Sequence, residues 1–133
     1  MAFVLDPVLE RDTFLVADLK LCSALLMNNA LFPWLILVPR VEGAKEIIDL
    51  SADERGWLMD EICHASSALQ AIYKPDKLNV AALGNQVAQL HVHVIARMTT
   101  DTAWPNPVWG KEAKPYGDPK PLIAELHEWL RAI

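Results

Sequence analysis

The sequence predicts a single α+β domain, 1–133, with an antiparallel sheet of about five strands, one long helix and a C-terminal helix. Three observations carry this reading. Strand-like segments are joined mostly by short turns, which suits antiparallel pairing. Ser51-Ala52-Asp53-Glu54 is a capping box that opens a long apolar stripe of helical period. Gln89 to Arg97 alternates with a period of two, the mark of a strand with two different faces.

The elements follow in order. Residues 1–12 read as an irregular or partly helical start, interrupted by Pro7. Thr13 to Asp18 has strand composition, and Leu21 to Met27 is a second apolar run ended by the turn signal Asn28-Asn29. Leu35 to Val38 is a buried strand stopped by Pro39. From Ser51, the residues Leu58, Ile62, Ala65, Leu69 and Ile72 recur at steps of three and four, so the helix runs to about Tyr73, before Pro75. Lys77 to Leu83 is a strand, Gly84-Asn85 turns the chain, and Gln86 leads into the histidine strand. Asp101 to Pro119 reads as an ordered loop, because Trp104, Trp109 and Tyr116 are poorly solvated in a loose one. Pro121 to Ala132 is a terminal helix with Leu122, Leu126, Trp129 and Leu130 toward the core.

A chain of 133 residues buries roughly two thirds of its unfolded surface and needs no staples. Its formal charge of -5 argues against a sequence-independent binder of polymeric nucleic acid, which carries a basic field. A small phosphate-bearing ligand is not excluded, since a few local donors hold it. Cys22 and Cys63 form neither a C-x-x-C pair nor a zinc spacing, and both read as buried free thiols suited to a reducing cytoplasm. No basic segment precedes an apolar core at the start, so no secretory signal is expected. The apolar run Leu31 to Val38 is too short to span a membrane, and no membrane partner is expected.

Chemistry concentrates in Gln89-Leu90-His91-Val92-His93-Val94-Ile95-Ala96-Arg97. Gln89, His91, His93 and Arg97 share one face, with Ile95 the apolar exception. The pleat holds alternate side chains about 7 Å apart, so two imidazoles can meet one substrate. An unperturbed imidazole titrates near pH 6.5, so it is largely neutral and nucleophilic at pH 7. Gln89, His93, Asn85, Gln86 and the backbone N–H groups of the turn are candidate donors to a charged transition state. Arg97 reaches a distal phosphate or caps the strand in solvent, the second being the more ordinary fate of a strand-end arginine. Two buried structural histidines are the bland alternative, and H-x-H as half of a metal site is another. His64 and His127 have no obvious ligand neighbour, and the histidine strand carries no Asp or Glu, so no metal is expected.

The stretch Asn79 to Ile95 resembles the signature of the histidine triad (HIT) superfamily, in which an Asn strand and a Gly-containing turn precede His-x-His-x-His and two apolar residues. Pro33 to Arg40 is similar to the family's aliphatic strand ending in Pro and a basic residue, and the capped helix lies between them. The family's first histidine is Gln89 here, and its second and third match His91 and His93. The galactose-1-phosphate uridylyltransferase branch also has a glutamine within its motif, at a different position. The resemblance implies an HIT-like fold, a homodimer, and a nucleotide or nucleotide-conjugate substrate attacked at its α-phosphorus. It makes His91 the nucleophile that forms a nucleotidyl-imidazole, with no cofactor. It makes His93 the donor to a non-bridging phosphate oxygen and leaves Gln89 in the supporting place. By the same resemblance Asn79 and Asn85 contact phosphate or ribose, and Asn28 lies near the place of a ribose-binding acid. Phe14, Leu26 and Ile36 are candidates for the base pocket, and core packing explains them equally well. Substrates of this kind include dinucleoside polyphosphates and nucleoside phosphoramidates. A nucleotide-binding module without turnover is the alternative.

Overall fold

In the computed structural model, described here over residues 2–131, one five-stranded antiparallel sheet has the order β1-β2-β3-β5-β4. The elements are α1 (Pro7–Asp12), β1 (Thr13–Asp18), β2 (Cys22–Met27), β3 (Trp34–Pro39), α2 (Ala52–Tyr73), β4 (Lys77–Ala81), β5 (Val92–Arg97) and α3 (Lys120–Leu130). A single 3-10 turn, Ile47–Asp49, precedes α2. The antiparallel α+β reading therefore stands.

Helix α2 starts where the capping box places it. The Ser51 hydroxyl accepts from the Glu54 N–H at 3.2 Å, and the Glu54 carboxylate accepts from the Ser51 N–H at 2.7 Å. Such a cap stabilises the helix by about 1 kcal/mol. Its stripe of Leu58, Ile62, Ala65 and Leu69 is buried against the sheet residues Leu35, Leu37, Val92 and Val94. Each fully buried leucine contributes about 1.5–3 kcal/mol. Glu61 lies on the same helix and is 3% exposed. Its carboxylate accepts the N–H groups of Leu21 and Cys22 at 2.8 Å each, which fastens the β1–β2 turn to the helix. At the far end, Lys74 closes the helix in the left-handed region at φ 50°, before Pro75.

The two faces of the sheet are unlike. Alternate residues of β5, Val92, Val94 and Ala96, face α2 and α3. His93, Ile95 and Arg97 face the other way, where Ile95 packs with Leu25, Phe32, Trp34 and Ile36. The loop 101–119 and the N-terminal segment cover this second face through Ala103, Val108, Leu9, Phe3 and Leu5. A cavity is left between them.

Several sequence expectations need correction. The histidine strand begins at Val92 rather than Gln89, and β4 ends at Ala81 rather than Leu83. Residues 82–91 form an irregular loop. Cys63 is exposed, because it lies on the solvent side of α2, whereas Cys22 is buried. Trp129 is 44% exposed, and α3 buries only Leu126 and Leu130 fully. The expected helix end at Ala132 lies outside the described residues. Leu26 and Phe14 pack on the helix side of the sheet, so of the three candidate base-pocket residues only Ile36 lines the cavity. Among the described residues no helix is long and apolar enough to cross a membrane.

Candidate active site

The cavity on the second face has a volume of about 390 Å³. His93, Trp34 and Ile36 line it from the sheet, His91, Asn85 and Gln86 from the loop that precedes β5, and Leu9 and Asp12 from the N-terminal segment. Trp109 and Gly110 complete it from the 101–119 loop. A polar recess of about 290 Å³ shares His91 and is also lined by Lys45, Asn85 and Gln89. Another, of about 350 Å³, shares Trp34 and Trp109 and reaches Asn28 and Arg11.

Hydrogen-bond partners decide which ring nitrogen donates in both motif histidines. The His91 Nδ1 lies 2.7 Å from the Gln89 carbonyl oxygen. A carbonyl only accepts, so Nδ1 carries a proton, and the neutral form of this ring has its lone pair at Nε2. No protein partner meets that nitrogen among the described residues, and none of their buried polar side-chain atoms is left unpaired. The Nε2 lone pair therefore opens on accessible space in a residue that lines the cavity.

His93 is held differently. Trp34 Nε1–H donates to its Nδ1 at 3.0 Å, and its Nε2 lies 3.1 Å from the Leu83 carbonyl. Indole is a donor only, so Nδ1 accepts and Nε2–H donates. Burial lowers the His93 pKa to about 4, against a raising contribution from the Leu83 carbonyl and with a lowering one from His91. The ring is neutral at pH 7, and both nitrogens have protein partners. His93 stands edge-on to His91, with centroids 4.9 Å apart, and the Nε2–H that the resemblance gives to a phosphate oxygen is here held by the Leu83 carbonyl. Trp109 packs edge-on against both His93 and Trp34, at 5.1 and 5.8 Å.

The depressed pKa gives a signed pH dependence. Between about pH 6.5 and 4 the unfolded chain binds a proton at this histidine that the folded chain does not. Stability from this group is full above pH 6.5 and falls as the pH drops toward 4. NMR titration of the ring should show His93 unprotonated at pH 5. Thermal melts of His93→Gln should lack this component of the acid decline.

Other candidate residues separate into groups. Asn85 and Gln86 line the cavity. The Gln89 side chain does not face it as expected: its amide is bonded to the backbone of Val4 and Asp6. Arg97 is not the solvated cap expected of a strand-end arginine. It is 1% exposed and lines none of the three cavities. The Asp101 carboxylate accepts from its Nε and Nη2 at 2.7 and 3.1 Å, and the Asn106 carbonyl accepts from Nη2 at 2.8 Å. The rings of Phe32 and Trp104 pack on its guanidinium at 5.8 and 5.7 Å. Asn79 lines none of the three cavities, and its Oδ1 accepts from Arg97 Nη1 at 2.9 Å. The Asn28 Oδ1 accepts the Tyr116 N–H at 2.9 Å, so this amide fastens the loop while lining the outer recess. Among the described residues no group of three or more His, Cys, Asp or Glu converges as a metal site.

Sequence reasoning missed Trp34, Asp12 and the reason for Gly84. Trp34 is two residues from Ile36, which pairs with His93 across the sheet, but that register is invisible in one sequence. A Cβ on Gly84 would lie 2.7 Å from the Val87 carbonyl oxygen and 3.2 Å from the His91 ring. Only a bare backbone fits there. Gly84→Ala should displace the loop or the ring and lower kcat/KM about 100-fold, the usual effect of a misplacement near 1 Å. Steady-state kinetics beside a thermal melt checks this.

Comparison with known proteins agrees with the geometry. The sequence profile of the HIT domain matches residues 8–100. The chain is 46% identical to a histidine triad protein from Bradyrhizobium japonicum, with a TM-score of 0.94 over 98% of this chain and 99% of that one. It is 42% identical to one from Marinobacter aquaeolei, with a TM-score of 0.95 over 98% of each chain. A third, from Sinorhizobium meliloti, is 41% identical, with a TM-score of 0.91 over 95% of this chain and 96% of that one. No protein of curated function matches the sequence.

Proposed function

The chain belongs to the HIT domain family, and from that premise we propose that it is a nucleotidyl hydrolase or transferase working through a nucleotidyl intermediate on His91. The observation that carries this reading is the His91 ring itself. Its Nδ1–H is committed to the Gln89 carbonyl, and its Nε2 lone pair opens on the cavity.

The Nε2 pair forms a bond to the α-phosphorus of the substrate, and the bond from phosphorus to the leaving oxygen or nitrogen breaks, the leaving group taking its electrons. The positive charge that develops on the ring is shared through Nδ1–H with the Gln89 carbonyl. Water or another acceptor then attacks phosphorus. The P–N bond breaks, its pair returns to Nε2, and the acceptor's proton passes to solvent. Charge on the phosphate oxygens in both transition states is met by the Asn85 and Gln86 amides and by the loop N–H groups. The nucleoside occupies the apolar part of the cavity against Ile36, Leu9 and Trp109. Asp12, which borders both this cavity and the outer recess, is placed to accept from ribose hydroxyls. Dinucleoside polyphosphates, nucleoside phosphoramidates and adenylylated conjugates all present the required α-phosphorus. The reading includes a cytoplasmic homodimer acting on such substrates.

A binding module without turnover is the second reading. The observation favouring it is that the side chains of Gln89 and His93 both have protein partners. Turnover of a panel of these substrates in ¹⁸O-water separates the two. Hydrolysis yields a nucleoside monophosphate carrying ¹⁸O. Binding of AMP or GMP that quenches tryptophan fluorescence, with no product from any substrate, establishes the module instead.

A further inference from the structure

The side chain that stands in the first motif position faces the N-terminal segment. Gln89 Nε2–H donates to the Val4 carbonyl at 2.8 Å, and its Oε1 accepts the Asp6 N–H at 2.8 Å. These two backbone groups flank one residue on the same edge of an extended segment, so the carboxamide acts on it as a neighbouring strand does. A neutral imidazole also has one donor and one acceptor, but they diverge around a ring and do not lie side by side. Glutamine therefore fits this pairing and histidine does not.

The clipped segment continues directly into the cavity. Phe3 and Leu5, alternating with the clipped residues, pack against the second core cluster. The Asp6 Oδ1 accepts the Val8 N–H at 2.8 Å and starts α1, from which Val8, Leu9 and Asp12 line the cavity. Meanwhile the Gln89 carbonyl orients the nucleophilic ring, and a change of the side chain leaves that hydrogen bond in place.

We propose that Gln89 is a positioning residue, a clip that docks residues 4–12 as a strap along the nucleotide cavity, and that it sets affinity for the nucleoside and not the rate of chemistry at phosphorus. The proposal rests on the functional reading above. Two neutral hydrogen bonds of ordinary strength correspond to about ten-fold or more in docking of the strap.

The test combines amide exchange with kinetics on the full chain. In Gln89→Ala, exchange at residues 4–12 should quicken about ten-fold, and KM should rise about ten-fold with kcat within two-fold. Deleting residues 2–6 should raise KM at least as much, because the Phe3 and Leu5 packing and the Asp6 cap go with it, and Gln89→Ala should add nothing in that background. Gln89→Glu keeps the volume and the acceptor for Asp6 but sets a carboxylate against the Val4 carbonyl. It serves if the alanine variant fails to fold, and the same KM rise is expected. Unchanged exchange, additive effects of the two changes, or a collapse of kcat at constant KM would overturn the clip. If the parent chain neither turns over substrate nor binds AMP or GMP, the functional reading fails and this proposal with it. If parent and variant bind equally well, only the clip fails.

Discussion

His91→Ala should reduce kcat/KM by about 10⁴- to 10⁶-fold, the scale seen when an essential nucleophile is removed, while leaving the fold intact. The size follows from the absence of any substitute. His93 is edge-on to His91, but both of its nitrogens are bonded within the protein. His64 and His127 sit on the two longer helices and bond to the Trp129 and Val16 carbonyls. The stability effect should be small, about 1 kcal/mol, because the substitution removes one hydrogen bond to a carbonyl beside a cavity. Nucleotide affinity should survive within a few-fold, since the apolar lining is unchanged. Kinetics, a thermal melt and a fluorescence titration together check the three parts.

Arg97→Ala should be the most damaging change to stability, costing about 3–5 kcal/mol through the uncompensated buried charge it leaves. The Asp101 side chain is 8% exposed and the Arg97 side chain 2%, so the pair is largely shielded from water. Asp101 also accepts the N–H groups of Ala103 and Trp104, so the damage reaches the loop that carries Trp109 to the cavity. Activity should fall along with stability. The arginine hydrogen bond, aided by those two N–H groups, lowers the Asp101 pKa to about 2. Its folded pKa lies below the unfolded value, so this contribution is full above about pH 4 and is lost as pH falls toward 2. Chemical denaturation at neutral pH measures the first effect. Melts between pH 5 and 2, with and without the arginine, measure the second.

Much of the architecture was legible because local rules and packing agree. The capping box and stripe of α2 appear where the sequence places them, and the period of two in β5 separates helix-facing Val92 and Val94 from cavity-facing His93. The errors arise where long-range partners decide. Arg97 is in phase with the histidines, yet its fate depends on Asp101, Asn79 and two rings from distant segments. Gln89 precedes the strand, and its partners lie 83 and 85 residues away. Asn28 looks like a plain turn residue, but the turn holds the loop at Tyr116. Trp34 and Asp12 carry no local mark of function, and only the sheet register and the packing of α1 bring them to the cavity. Alternation and the motif resemblance singled out His91 and His93, and both line the cavity; which carbonyl and which indole each ring meets is set by the fold.

The most direct measurement is capture of the intermediate. The chain is mixed briefly with a substrate bearing an adenylyl or guanylyl group and quenched in base. Peptide mass spectrometry should then find one nucleoside monophosphate bonded through phosphorus to His91 Nε2, stable in alkali and released by acid. Turnover with no such adduct, or with the adduct on any other residue, would contradict the mechanism.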